Sequence, residues 1–101
     1  DIEESHASWE LFERAVPISS LKGTMGHTLA ACGAIETIAC VQMMREGFLA
    51  GTRNLDEVDE RCAALDYIRE TTAASPRLVM NNNFAFGGVN TSLLLRRVEP
   101  A

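Results

Sequence analysis

Between Lys22 and His27, six residues bring together an ammonium group, two glycines at Gly23 and Gly26, and an imidazole. The set sits where a loop gives way to a long helical pattern. Backbone N–H groups and the positive end of a helix dipole would therefore add to the lysine's charge, an arrangement suited to a developing negative charge. Gly26 before His27 would let the backbone turn sharply and aim the ring into a cleft, and burial at the helix end would keep the imidazole neutral. A neutral imidazole donates one hydrogen bond, for example to a carbonyl oxygen that is becoming an enolate. The same spacing also describes a capped helix with a solvated lysine and a histidine satisfied by backbone, and both readings stand at this point.

A second group, Phe84 to Asn90, joins two aromatic rings to the pair Gly87 and Gly88. The glycines permit positive φ and close backbone approach. One ring is expected to fill the core and the other to line a pocket, although an ordinary hairpin with an apolar plug has the same composition. Phosphate binding is not favoured, because the order G-x-x-x-x-G-K-[ST] is absent and Lys22 precedes its glycines. Cys32, Cys40 and Cys62 match neither a zinc pattern nor a disulfide framework. Cys32 and Cys40 fall mid-helix among apolar residues, ~12 Å apart along the axis, and are expected to pack rather than react.

The elements that must position these groups follow from hydrophobic spacing. Residues 2–15 form an amphipathic pattern with Ala7, Leu11, Phe12 and Ala15 on one side, and Pro17 is expected to stop it. Residues 18–20 read as a short extended piece. A second helix is predicted from His27 or Thr28 to Glu46, with Gly47 as its left-handed cap. It has almost no polar face, which predicts burial on all sides, and the rest of the chain is too short to wrap it. Residues 54–64 read as an exposed turn, 65–69 as an edge strand, and 78–97 as a β-hairpin about the glycine pair.

Composition narrows the field. The 101 residues are 47% hydrophobic and 23% charged, with a formal net charge of −5, which excludes a disordered tail and disfavours a nucleic-acid binder that would need a basic face. The most apolar stretch, 29–41, contains Glu36 and Thr37 and falls short of the ~20 residues that cross a bilayer. No secretory pattern opens the chain, and reduced thiols are expected, so the sequence is read as soluble and cytoplasmic, without membrane or nucleic-acid partners.

Together these pieces resemble the C-terminal half of the β-ketoacyl-[acyl-carrier-protein] synthases, condensing enzymes with a thiolase-like fold. Ile18 to His27 looks like the family's S-x-x-K-x-x-x-G-H segment followed by its Ala-rich buried helix, and Asn83 to Asn90 resembles its N-x-F-G-F-G-G-x-N loop. The resemblance covers nearly the whole of residues 1–101 and implies an α/β fold: part of the second half of an α-β-α-β-α layered structure, with a long buried helix and a C-terminal β-hairpin.

The resemblance also implies roles. His27 would hydrogen-bond a malonyl thioester carbonyl and stabilise the enolate left when carbon dioxide departs, while Lys22 would organise the site. Glu4 matches the acid of a D-x-x-E turn, here Asp1 to Glu4, and would fix the lysine. Phe86 matches the gating phenylalanine of the acyl pocket, with Phe84 beside it; Ala85 stands where the family has glycine, which stiffens the gate. No metal and no cofactor are implied. The implied partners are an acyl carrier protein, the N-terminal half of the synthase and a second subunit in a homodimer or heterodimer. The family's nucleophilic cysteine and its H-G-T histidine belong to that other half, and neither His6 nor Cys32 supplies them, so the chain alone is expected to be inactive. The alternative is a non-catalytic chain-length-factor subunit with the same fold; retention of Lys22 and His27 favours the enzyme.

Overall fold

The computed structural model describes residues 2–85 and 87–98. Helix α1 (Ile2–Phe12) carries Glu3 and Glu4 in its first turn, where carboxylates oppose the dipole favourably. It ends earlier than Pro17 would require: Glu13 adopts φ 53° and its N–H returns to the Trp9 carbonyl, so the expected 2–15 helix is three residues too long. Pro17 instead opens a two-residue strand, β1 (Pro17–Ile18). The expected apolar side of α1 is not its packed side, for Leu11 is 66% exposed, while Ser5 is buried. Ser5 Oγ donates to the Ile2 carbonyl at 2.7 Å and accepts the Ala63 N–H at 3.0 Å.

A four-residue helix, α2 (Lys22–Met25), and a 3₁₀ turn over Leu29–Ala31 precede the main helix, α3 (Cys32–Glu46). The start expected at His27 or Thr28 thus lies at Cys32, because Leu29 at φ 52° interrupts the α geometry. The expected end holds: Gly47 adopts φ 76° and ψ 50°, and its N–H caps the Met43 carbonyl at 3.0 Å. Arg97 Nη1 also donates to the Met44 carbonyl at 3.1 Å, a cation on the negative end of the helix.

The strands form three pairs among the described residues. β1 runs parallel to β3 (Asp66–Tyr67), so the expected edge strand over 65–69 is present. β2 (Phe48–Leu49) and β4 (Thr72–Ala73) pair antiparallel, Phe48 facing Ala73; neither two-residue strand was expected from the sequence. β5 (Leu78–Ala85) and β6 (Val89–Arg96) make the expected hairpin, in register from Leu78 opposite Arg96 to Ala85 opposite Val89. Gly87 at φ 84° and Gly88 at φ 78° take the turn where a side chain would be strained.

The core is thin. Cys32, Cys40, Met43 and Met44 of α3 are buried together with Ala63, Leu65 and Ile68. The hairpin lies along α3, where Asn81 Nδ2 approaches the Gly33 carbonyl and Thr37 Oγ1, each at 3.5 Å. The rest of α3 is not enclosed within this chain: Ile38 is 63% exposed. Ile38 and Leu93 line an open hollow of about 410 Å³ between helix and hairpin, together with Gly33, Thr37 and Asn83. No described helix is long and apolar enough to cross a membrane.

Candidate active site

Lys22 begins α2, and the turn that follows depends on Gly26. At φ 74° and ψ 179°, Gly26 occupies a region that residues with a Cβ essentially avoid, and its N–H closes on the Lys22 carbonyl at 2.8 Å. A Cβ there would meet no atom within 4 Å, so glycine is required for the backbone angle and not for space. The reversal brings His27 out of α2 toward the start of the 3₁₀ turn.

His27 is held by backbone. The Leu29 N–H donates to Nδ1 at 3.0 Å. A ring nitrogen that accepts an N–H carries no proton, so the neutral ring keeps its proton on Nε2, which is left as a donor. The ring is exposed in this chain, not buried, and α3 begins only at Cys32. The Gly26 turn precedes the ring as expected, and the Leu29 amide, which the sequence reading did not name, adds a hydrogen bond that holds it.

Lys22 reaches across to α3. Its Nζ donates to Glu36 Oε2 at 2.7 Å, with side-chain exposures of 38% and 13% respectively. Glu36 is thus a lysine partner that the sequence reading did not name, and Glu4 stands half-buried in the first turn of α1. Glu36 lies within an apolar helical run, where the sequence reading assigned it no site role, although an acid alone among residues 29–44 is itself a signal. Cys32 was expected to be packing in apolar surroundings. It is buried, but its Sγ donates to the same Glu36 Oε2 at 3.1 Å.

The electrostatics follow from these contacts. Burial by itself would raise the Glu36 carboxyl, but hydrogen bonds from Lys22 and Cys32, the lysine's charge and the nearby Asn83 amide outweigh it and hold the group below its ordinary range. Lys22 is raised, chiefly by its hydrogen bond to Glu36 against a smaller opposing effect of burial. The pair is thus ionised across neutral pH. Burial, with a contribution from the Glu36 charge, pushes the Cys40 thiol up and keeps it inert.

At the hairpin, Phe84 is 55% exposed at the end of β5, so in this chain it fills no core. Phe86, the expected gate, and Asp1 lie outside the described residues. Among the described residues no cluster of three or more His, Cys, Asp or Glu could hold a metal ion.

Residues 1–56, which include His27, Lys22 and Glu36, match the family model described as the β-ketoacyl synthase C-terminal domain. The chain belongs to that family. Among curated β-ketoacyl synthases, 3-oxoacyl-[acyl-carrier-protein] synthase 1 of Escherichia coli K12 is 38% identical over 100 residues, covering 98% of this chain and 25% of that protein. The crystal structure of a β-ketoacyl synthase from Burkholderia phymatum STM815 superposes with a TM-score of 0.91 at 53% identity, over 98% of this chain and 24% of that one. The structure titled the ishigamide ketosynthase/chain length factor gives a TM-score of 0.90 at 34% identity, over 98% and 25%. The chain therefore spans about a quarter of the length of the β-ketoacyl synthases it matches. Its mixed helix-and-strand fold is that of the corresponding ketosynthase segment, within the thiolase-like class.

Proposed function

We propose that this chain acts as the C-terminal segment of a 3-oxoacyl-[acyl-carrier-protein] synthase, performing decarboxylative Claisen condensation of an acyl thioester with malonyl carried on acyl carrier protein. The product would serve fatty-acid or polyketide synthesis in the cytoplasm. The observation that carries the reading is the Leu29 N–H on His27 Nδ1 at 3.0 Å, which leaves Nε2–H as a fixed donor. When the malonyl carboxylate leaves as carbon dioxide, the electron pair of the broken C–C bond passes into the thioester, whose oxygen becomes an enolate. His27 Nε2–H donates to that oxygen, an interaction stronger in the transition state than in the ground state. The enolate carbon then attacks the acyl thioester carbonyl and expels the thiolate of the nucleophilic cysteine contributed by the N-terminal half of the synthase.

Lys22, held by Glu36, places a cation near this chemistry and orders α2, and so the Gly26 turn that sets His27. Glu4 supports the site from the first turn of α1. Phe86 and Phe84 gate the acyl pocket, with Ala85 restricting the swing. The open hollow between α3 and the hairpin is the surface on which the other half of the layered α-β-α-β-α fold packs, and α3 becomes the long buried helix only then. A second subunit completes a homodimer or heterodimer, and the segment by itself has no condensing activity. A non-catalytic chain-length-factor role would not need the oriented His27 donor.

The test joins the segment to the N-terminal half of a synthase and measures condensation with malonyl-acyl carrier protein, before and after His27→Ala. Loss of one oxyanion donor should slow the reaction on the order of a hundredfold or more. Product formation unchanged in the variant would refute the assignment.

A further inference from the structure

We infer that Cys32 is a positioning residue that sets the Lys22–Glu36 pair, an inference that rests on the synthase reading above. Glu36 Oε2 accepts from two donors, Lys22 Nζ at 2.7 Å and Cys32 Sγ at 3.1 Å. The donors differ in freedom. Cys32 lies one helical turn before Glu36 on α3 and is 3% exposed, so the helix backbone itself holds the thiol under the carboxylate. Lys22 arrives from a four-residue helix on a long, partly exposed side chain. The other carboxylate oxygen, Oε1, is buried and accepts no hydrogen bond in the structure described, and the nearby Asn83 amide adds a smaller support than the thiol does.

The order of dependence follows: the thiol fixes the carboxylate, and the carboxylate fixes the ammonium. The groups that face Glu36 are Lys22 from α2, Cys32 and the more distant Cys40 along α3, and the Asn83 amide from β5. Lys22 is the cation among them, and Cys32 is the second hydrogen-bond donor after it in holding the carboxyl ionised against burial. Replacing the thiol with a hydrogen atom, as alanine does, leaves Oε2 with a single flexible donor at a carboxylate that is 13% exposed. The carboxylate then gains rotational freedom and its charged form loses support.

The experiment uses the complete synthase carrying this segment. Cys32→Ala is expected to lower kcat about three- to tenfold with an unchanged KM for malonyl-acyl carrier protein, and to displace the acid limb of the pH–kcat profile upward. Cys32→Ser, which keeps a donor, is expected to restore most of both. Independently of turnover, the S–H stretching band of Cys32, isolated by subtracting the infrared spectrum of Cys32→Ala, should rise in frequency in Glu36→Gln, because an amide is a weaker acceptor than a carboxylate. A parent enzyme that forms no condensation product counts against the synthase reading, and the infrared band then decides the thiol's place. The inference is overturned by an acid limb unmoved in Cys32→Ala, by a serine variant no better than alanine, by a band indifferent to Glu36→Gln, or by an alanine variant altered only in thermal midpoint.

Discussion

Leu29 donates its backbone N–H to His27 Nδ1 across 3.0 Å while holding φ at 52°, a left-handed angle that a residue with a Cβ adopts at a cost of roughly 1–3 kcal/mol. The strained residue is thus the one that orients the ring. The geometry predicts opposite outcomes for two apolar-to-small changes. Leu29→Gly should keep the N–H, relieve the strain and retain the Nε2–H form, read from the imidazole ¹⁵N resonances. Leu29→Val, with a β-branched side chain poorly suited to positive φ, should weaken the turn and lower the condensation rate several-fold. A valine variant as active as the parent would show that this turn does not hold the ring.

The Lys22–Glu36 pair gives a defined pH window. Glu36 is depressed in the folded chain, so its stabilising contribution is complete above the ordinary carboxyl value of 4.5 and is lost as pH falls through the lower folded value. Lys22 is raised, so its contribution is complete below 10.5 and is lost as pH rises through the higher folded value. The thermal midpoint of the parent should exceed that of Glu36→Gln by a constant margin between those limits. The margin should shrink on the acid side as the carboxylate is protonated. A margin that does not depend on pH would mean that packing, and not charge, accounts for the pair.

Two glycines near the site should respond differently to alanine. A Cβ on Gly23 would stand 2.6 Å from the Arg53 carbonyl oxygen, a backbone atom that cannot yield locally, whereas one on Gly33 would meet only Asn83 Nδ2 at 3.5 Å. Gly23→Ala should therefore push α2 off the 53 region, separate Lys22 from Glu36, and cost about 1–3 kcal/mol in denaturant unfolding. Gly33→Ala should leave the midpoint nearly unchanged in this chain. Equal effects of the two changes would contradict the close approach at Gly23.

Ser5 ties α1 to the 63 region through a buried hydroxyl that both donates and accepts. Ser5→Ala strands the Ala63 N–H in the interior and should destabilise by about 1–3 kcal/mol. Hydrogen exchange at Ala63 measures this directly: its amide should lose protection in the variant.

The residues with the strongest local rules were legible in order along the chain. Lys22, Gly26 and His27 could be singled out because a cation, a backbone pivot and an imidazole within one loop have few uses. Gly47 could be placed because a helix needs a left-handed cap, and the hairpin because Gly87 and Gly88 interrupt two apolar runs. Those features depend on neighbours a few residues away. The short pairing of Phe48 with Ala73 was hidden, since two-residue strands carry no period to read.

Sequence alone determined which groups could do chemistry and the kind of backbone that presents them. Tertiary structure decided who partners whom. Glu36 receives Lys22 because the folded chain brings the side chain at the start of α2 to an acid on α3, fourteen residues farther along. Cys32 is buried as its neighbours implied, and one helical turn also brings its sulfur to the same oxygen. Contacts of that kind depend on which faces meet when separate elements pack, and apolar burial, which drives the packing, is non-directional and leaves the pairing of polar groups to the geometry of the assembled fold.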